Sequence, residues 1–227
     1  SFKKICQYYI EGIHIMNNKS NDMNYIRMRN LQMDSIGEYS VTLPREADQI
    51  SHIIKNITSL KNKKVTITDA TAGIGGNTLS FSMFFDKVNA IEIDRVRYNY
   101  LINNLSTLNA TNVNVFNDDM LNIIDKSQQD VIFMDPPWGG KNYKKKRRIR
   151  LSISDTSLEQ ICNNILDNKL ASIIALKLPF NYDFEYLYSN IDKQYISITK
   201  YDISPRITLI VLYNNINETF PITYNII

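Results

Sequence analysis

Apolar residues recur along this chain in two rhythms, and the change between them falls near residue 65. Before it, short clusters (Ile5-Cys6, Tyr8-Tyr9-Ile10, Ile13 with Ile15-Met16) repeat at helical spacing, a polar stretch covers residues 17–24, and apolar positions resume over 25–33. Asp34-Ser-Ile-Gly37 reads as a turn. Pro44 with Arg45-Glu46 opens a helix to about residue 57, with Ile50, Ile53, Ile54 and Ile57 on its inner face. After residue 65 short β-rich runs alternate with helical stretches. Strands are expected at 65–70, 87–93, 112–116, 130–134, 171–177, 195–200 and 207–213, and helices at 75–86, 94–108, 154–168 and 182–190. Strands separated by helices imply an α/β fold with a mostly parallel seven-stranded sheet and right-handed crossovers. The closing two strands lie too close in sequence for a helical crossover, so the last should run antiparallel. The division expected is a small helical N-terminal extension over 1–60 and one α/β domain over 61–227.

Composition narrows the class. At 227 residues, 44% hydrophobic and 22% charged, the chain suits one well-buried globular domain with an appendage. No apolar run reaches the ~20 residues of a membrane span, and Ser1-Phe2-Lys3-Lys4 does not open a signal peptide, so an intracellular setting (nucleus, cytoplasm or a viral factory) is expected. Abundant Asn, Ile, Lys and Tyr suggest coding by an AT-rich genome, as in some protists and large DNA viruses. Cys6 and Cys162 have no Cys or His at ligand spacing, which points to free thiols and to no metal. His14 and His52 stand in no catalytic pattern and read as surface or packing residues.

The chemistry concentrates where the fourth strand ends. Asp130 to Gly139 reads Asp-Val-Ile-Phe-Met-Asp-Pro-Pro-Trp-Gly, an apolar strand delivering Asp135, Pro136, Pro137 and the single Trp, Trp138, to one point. Methylating an exocyclic amine on a nucleobase needs this set. The Asp135 carboxylate and Pro136 carbonyl can accept the amine N–H groups, Trp138 can stack on the base, and the prolines stiffen the turn. An ordinary β-turn at a strand exit is the alternative reading.

Three further strand ends carry acids or glycines. The first ends Asp69-Ala70-Thr71-Ala-Gly73-Ile-Gly75-Gly-Asn77-Thr78, where glycines allow close backbone approach to a ligand and no P-loop lysine follows. The second ends Glu92-Ile-Asp94, about 20 residues on, placing an acid to take ribose hydroxyls. The third is followed by Asp118-Asp119, where an adenine amino group could donate. Each acid alone could be a helix cap or a solvated loop residue. Together they suit a cationic ligand rich in hydroxyls and amines, S-adenosylmethionine, at the carboxyl edge of an open sheet.

Net charge is only +3, yet residues 141–150 hold seven basic residues and no acid. A solvated charge run is one reading. Beside Trp138, the run reads equally as a phosphate-receiving mouth built from Lys144, Lys145, Lys146, Arg147, Arg148 and Arg150.

These motifs, in order and spacing, resemble the trimethylguanosine synthase family of cap guanine-N2 methyltransferases over roughly residues 35–213, beginning with Gly37-Glu-Tyr-Ser-Val-Thr42 and most specifically at Asp135-Pro-Pro-Trp-Gly-Gly140. The resemblance implies a Rossmann-like class I methyltransferase fold, S-adenosylmethionine as donor with S-adenosylhomocysteine as product, no metal, and 7-methylguanosine-capped RNA as partner. A monomer that does not engage membranes is expected. Carried over by residue, Asp69, Gly73 and Gly75 would form the methionine-end loop together with Ala70, Thr71, Asn77 and Thr78. Glu92 and Asp94 would hold the ribose, Asp119 the adenine, and Trp138 the methylated guanine. Two positions depart from the family pattern: Asp135 stands where Ser is usual and Glu38 where an aromatic is usual. Asp135 keeps open an amino-methyltransferase acting on an internal adenine N6 or guanine N2, and a non-catalytic RNA-binding subunit on the same fold is the remaining alternative.

Overall fold

The computed structural model describes residues 30–59, 63–192 and 196–214. The apolar clusters before Tyr25, with Cys6 and His14, lie outside the described residues. Along the chain come α1 (Ser35–Ser40), α2 (Pro44–Ser59), β1 (Thr66–Asp69), α3 (Gly76–Phe84), β2 (Lys87–Ile91), α4 (Arg95–Thr107), β3 (Val113–Phe116) and α5 (Met120–Ile123). Then follow β4 (Val131–Met134), a 3₁₀ helix (Gly140–Lys145), β5 (Ser152–Ile153), β6 (Thr156–Ser157), α6 (Leu158–Asp167), β7 (Ile173–Pro179), α7 (Phe184–Asn190), β8 (Ile196–Ser204) and β9 (Ile207–Asn214).

Seven strands form one sheet in the order β3-β2-β1-β4-β7-β9-β8. The pairs β1–β2, β1–β4, β2–β3 and β4–β7 are parallel, while β9 runs antiparallel to both β7 and β8, as expected for the closing pair. Strand order reverses between β1 and β4. Open α/β sheets form their ligand-receiving crevice at such a reversal, at the carboxyl ends of the strands.

The apolar runs of β4 and β7 show no alternation because both faces are covered. Val131 and Phe133 face a layer containing Ile50 and Ile54 of α2 and Phe81 of α3. Ile132 and Met134 face the opposite layer, with Leu158, Ile161 and Ile165 of α6. The helical extension expected over 1–60 is, in its described part, α1 and α2. Ile53 and Ile57 pack beside Ile50 and Ile54, so the inner face read from spacing is the one used. His52 packs edge-on against Phe84 at 4.5 Å between ring centres, and Cys162 is a buried free thiol.

Two local expectations change. Asp34-Ser-Ile-Gly37 is not a free-standing turn: the Asp34 carboxylate accepts the Gly37 N–H at 2.6 Å and caps α1. The helix expected from residue 154 starts at Leu158. Ser154 and Asp155 take positive φ (47° and 61°) in a tight turn between β5 and β6, and a Ser157–Gln160 capping box then opens α6.

One buried amide joins the segment before α1 to the loop after β1. Asn104 on α4 accepts the Gln32 N–H at 2.8 Å and donates to the Gln32 carbonyl at 2.9 Å and the Ile74 carbonyl at 3.0 Å. Among the described residues no helix is long and apolar enough to cross a membrane.

Candidate active site

Asp69 ends β1 at the crevice and is fully buried. Its carboxylate accepts the Thr78 hydroxyl at 2.7 Å and the Thr71 N–H at 3.4 Å. Burial, opposed by those hydrogen bonds and reinforced by the charges of Asp135 and Glu92, pushes its carboxyl up to about 7. Gly73 and Gly75 both adopt left-handed backbone (φ +57° and +105°). A Cβ on Gly73 would meet open space, whereas one on Gly75 would come within 2.9 Å of Leu101 Cδ1. Glycine at 75 is therefore demanded twice, by φ and by packing. Asn77 is buried and gives its amide N–H to the Thr42 hydroxyl at 2.9 Å, and Ala70 continues the ladder by donating to the Phe133 carbonyl at 2.9 Å.

Glu92 follows β2, largely buried. Its oxygens accept the Gly73 N–H at 2.9 Å and the Asp94 N–H at 2.8 Å, with Arg97 Nε 3.5 Å away. The acid thus ties the glycine loop to the second strand end while keeping lone pairs for a ligand diol. Asp94 caps α4 by accepting the Val96 and Arg97 N–H groups, and these bonds with Arg97 hold its carboxyl below the ordinary range. Asp119 caps α5 through the Leu121 N–H at 2.9 Å. Both acids are helix caps that also stand at strand ends on the crevice side.

The fourth strand end meets the first. The Asp135 N–H donates to the Thr71 hydroxyl at 2.7 Å, linking the two loops. Pro136 is buried, Pro137 exposed and Trp138 half-buried. The indole packs edge-on against Tyr143 of the 3₁₀ helix, 5.1 Å between ring centres. Its buried N–H has no partner of hydrogen-bond geometry among the described residues, although the nearby Asp135 carboxylate responds to it.

The residue that sequence reading left without a role is Lys177. One step beyond the register pair Met134–Leu176 of β4 and β7, its ammonium sits 2.6 Å from Asp135 Oδ2, and only 4% of its side chain is exposed. The same Nζ lies 5.0 Å over the Trp138 ring. Burial raises the Asp135 carboxyl while the Lys177 charge and hydrogen bond draw it back. A signal existed in the chain: a lone lysine inside Ile-Ile-Ala-Leu-Lys-Leu is a buried cation, and a buried cation needs an acid.

The basic run divides in two. Arg150 pairs with Asp183 at 3.1 Å and stacks on Tyr186 at 3.4 Å, and Arg148 pairs with Glu185 at 3.1 Å, so both are directed to α7. Asn181 donates to the carbonyls of Tyr143 at 2.9 Å and Lys146 at 2.8 Å, pinning the base of the loop. Lys144, Lys145, Lys146 and Arg147 are exposed and have no acidic partner among the described residues.

A donor carrying a sulfonium, an ammonium, a ribose and an adenine fits this crevice. Asp69, Glu92 and Asp135 converge electrostatically on it, the open space at Gly73 admits a ligand against backbone, and Asp119 keeps one oxygen free. Buried carboxylates gain from a cation what burial cost them.

Known proteins resemble this chain in sequence and in fold. The family model described as RNA cap guanine-N2 methyltransferase matches residues 63–219. An uncharacterized protein of Acanthamoeba polyphaga mimivirus is 42% identical over 153 residues, covering 66% of this chain and 59% of that protein. A trimethylguanosine synthase of Schizosaccharomyces pombe is 28% identical over 172 residues, covering 70% of this chain and 68% of its own. The chain thus spans about three-fifths to two-thirds of the length of these relatives. Among solved structures, a methyltransferase from Geobacter sulfurreducens superposes with a TM-score of 0.54 at 12% identity, covering 90% of this chain and 93% of that one, a likeness of fold. With sheet order, strand-end acids and matched residues in agreement, the chain belongs to the RNA cap guanine-N2 methyltransferase family and has the Rossmann-like fold of class I S-adenosylmethionine-dependent methyltransferases.

Proposed function

We propose that this protein methylates the exocyclic N2 of the guanine in a 7-methylguanosine RNA cap. The observation that supports the reading is the turn after β4, where Asp135, followed by Pro136 and Trp138, is tied through its N–H to Thr71 of the loop that begins at Asp69. Bound S-adenosylmethionine supplies an electrophilic methyl group on a positively charged sulfur. Asp69, the 73–75 loop, Glu92 and Asp119 hold that donor. Trp138 stacks on the base, and Asp135 and the Pro136 carbonyl accept the two amine N–H groups and turn the nitrogen lone pair toward the methyl carbon. The nitrogen would take the methyl carbon, leaving the C–S electron pair on sulfur, and would then release its extra proton to solvent. Lys144, Lys145, Lys146 and Arg147 would receive the cap phosphates. Such a substrate agrees with an intracellular setting.

Because 7-methylguanine is cationic, an aromatic face adds ~1–2 kcal/mol to its stacking once desolvated. Labelled donor should therefore modify a 7-methylguanosine cap analogue in preference to unmethylated GpppG, and Trp138→Ala should raise the acceptor KM ~5–30-fold, the equivalent of that stacking term. Labelling undiminished in Trp138→Ala removes the stacking role. The carboxylate at 135 favours a second reading, methylation of an internal adenine N6 or guanine N2, which wins if an oligoribonucleotide without a cap is the better acceptor.

A further inference from the structure

Asp135 has a difficulty that the methylation reading alone does not resolve. An ionised carboxylate accepts an amine N–H through either oxygen, whereas a protonated one keeps a single weaker acceptor and can turn its own O–H toward the same nitrogen. Its surroundings oppose ionisation. It is mostly buried, with 14% of its side chain exposed, and burial is what raises its carboxyl above the ordinary range. Trp138 from its own loop and Lys177 from β7 are the groups that favour the charge.

Resting on that reading, we propose that Lys177 is the positioning residue of the acceptor site: its ammonium keeps Asp135 charged, fixes Oδ2, and leaves Oδ1 as the single oxygen for the base. Three observations converge on it. The contact is short, 2.6 Å from Nζ to Oδ2. Lys177 lies in β7 and Asp135 directly follows its parallel neighbour β4, one step past the register pair Met134–Leu176, so strand pairing brings the two backbones together. The Asp135 N–H is held by the Thr71 hydroxyl at 2.7 Å, which anchors the backbone from which the carboxylate projects. Lys177 Nζ also lies over the Trp138 ring, 5.0 Å from its centre. One cation thereby orients both acceptor and platform. It also gives Asp135 a physical basis at a site where the family usually carries Ser: the added acid is matched by a lysine on the neighbouring strand.

The single tryptophan supplies a probe that needs no turnover. Under selective indole excitation the full chain reports on Trp138 alone, and protonation of the adjoining carboxyl changes its emission. Four forms are compared: the wild type, Lys177→Met, Lys177→Arg, and Asp135→Ser combined with Lys177→Met. The double variant carries the Asp69 transition without the pair and is the baseline. Beyond the Asp69 transition that all four forms share, Lys177→Met should gain a second emission step that wild type, Lys177→Arg and the double variant lack. Its kcat at neutral pH should fall at least ~10-fold, recover as pH rises, and leave donor Kd within ~3-fold, with Lys177→Arg restoring most of the rate. Lys177→Met with a wild-type emission profile overturns the proposal, as does an arginine variant that folds and binds donor yet behaves like methionine. Should Lys177→Met fail to fold, the proposal requires the double variant and Lys177→Arg to fold; failure of either overturns it. An emission step in Lys177→Met with no acceptor methylated by wild type would sink the methylation reading and leave the pairing role of Lys177 standing.

Discussion

Replacing Asp69 by Asn should stabilise the folded chain at alkaline pH while weakening its hold on the donor. In the folded protein the Asp69 carboxyl is pushed up to about 7, from an ordinary value of 3.8 that applies once the chain unfolds. Between those values the folded state binds a proton that the unfolded state has released, so this group's contribution to stability falls as pH climbs through the interval. The interval corresponds to about 4 kcal/mol at ~1.4 kcal/mol per pH unit, an upper figure because hydration and relaxation soften buried charges. Asparagine fills the same volume, accepts the same Thr78 hydroxyl and cannot ionise. Urea unfolding of both proteins at about pH 5 and about pH 8 isolates most of the term: the variant should gain ~1–3 kcal/mol on wild type between the two conditions, with equal m values. Donor binding should move the other way. A cation beside Asp69 binds the ionised form better, so wild-type affinity should rise through pH 7, whereas the variant binds weakly with no such rise. Equal stability differences at both pH values would refute the buried, proton-holding Asp69.

Two further substitutions test other parts of the site. Gly75→Ala, which combines φ +105° with a 2.9 Å approach to Leu101, should cost ~2–4 kcal/mol in a melting or urea experiment, while Gly73→Ala, at φ +57° in open space, should cost only ~1 kcal/mol; equal costs would discount the packing half of the effect. Changing Lys145, Lys146 and Arg147 together to alanine should lower the slope of log K against log salt for capped RNA by ~2, given ~0.7 per phosphate contact on single strands, and Arg150→Ala should leave that slope unchanged because its charge is spent on Asp183 and Tyr186.

The sheet was legible because its central strands announce themselves: Val131 to Met134 and Ile173 to Leu176 are unbroken apolar runs, and only a sheet covered on both faces needs them. The strand-end acids were legible as a group because parallel strands align their carboxyl ends. Less visible were features whose partners are distant in sequence. Lys177 finds Asp135 only when β7 pairs with β4, and Arg148 and Arg150 are claimed by Asp183 and Glu185 only when α7 returns beneath the loop. The tight turn at Ser154-Asp155 was hidden for another reason. Neither residue is glycine, so the left-handed backbone that separates β5 from β6 left no mark in composition.

Asn104 gives the N-terminal side of the fold a thermodynamic voice in donor binding. Its one amide bonds both strands of the argument the chain must settle, Gln32 before α1 and Ile74 within the glycine loop, and Gly37 of α1 leaves no room for a Cβ beside the Ile74 side chain. Whatever orders the glycine loop therefore orders the approach to α1 as well, and the ordering free energy is shared between them. Gln32 and Ile74, 42 residues apart in the chain, are held by one side chain, so the two segments should melt as a single cooperative unit that any ligand of the glycine loop resists as a whole.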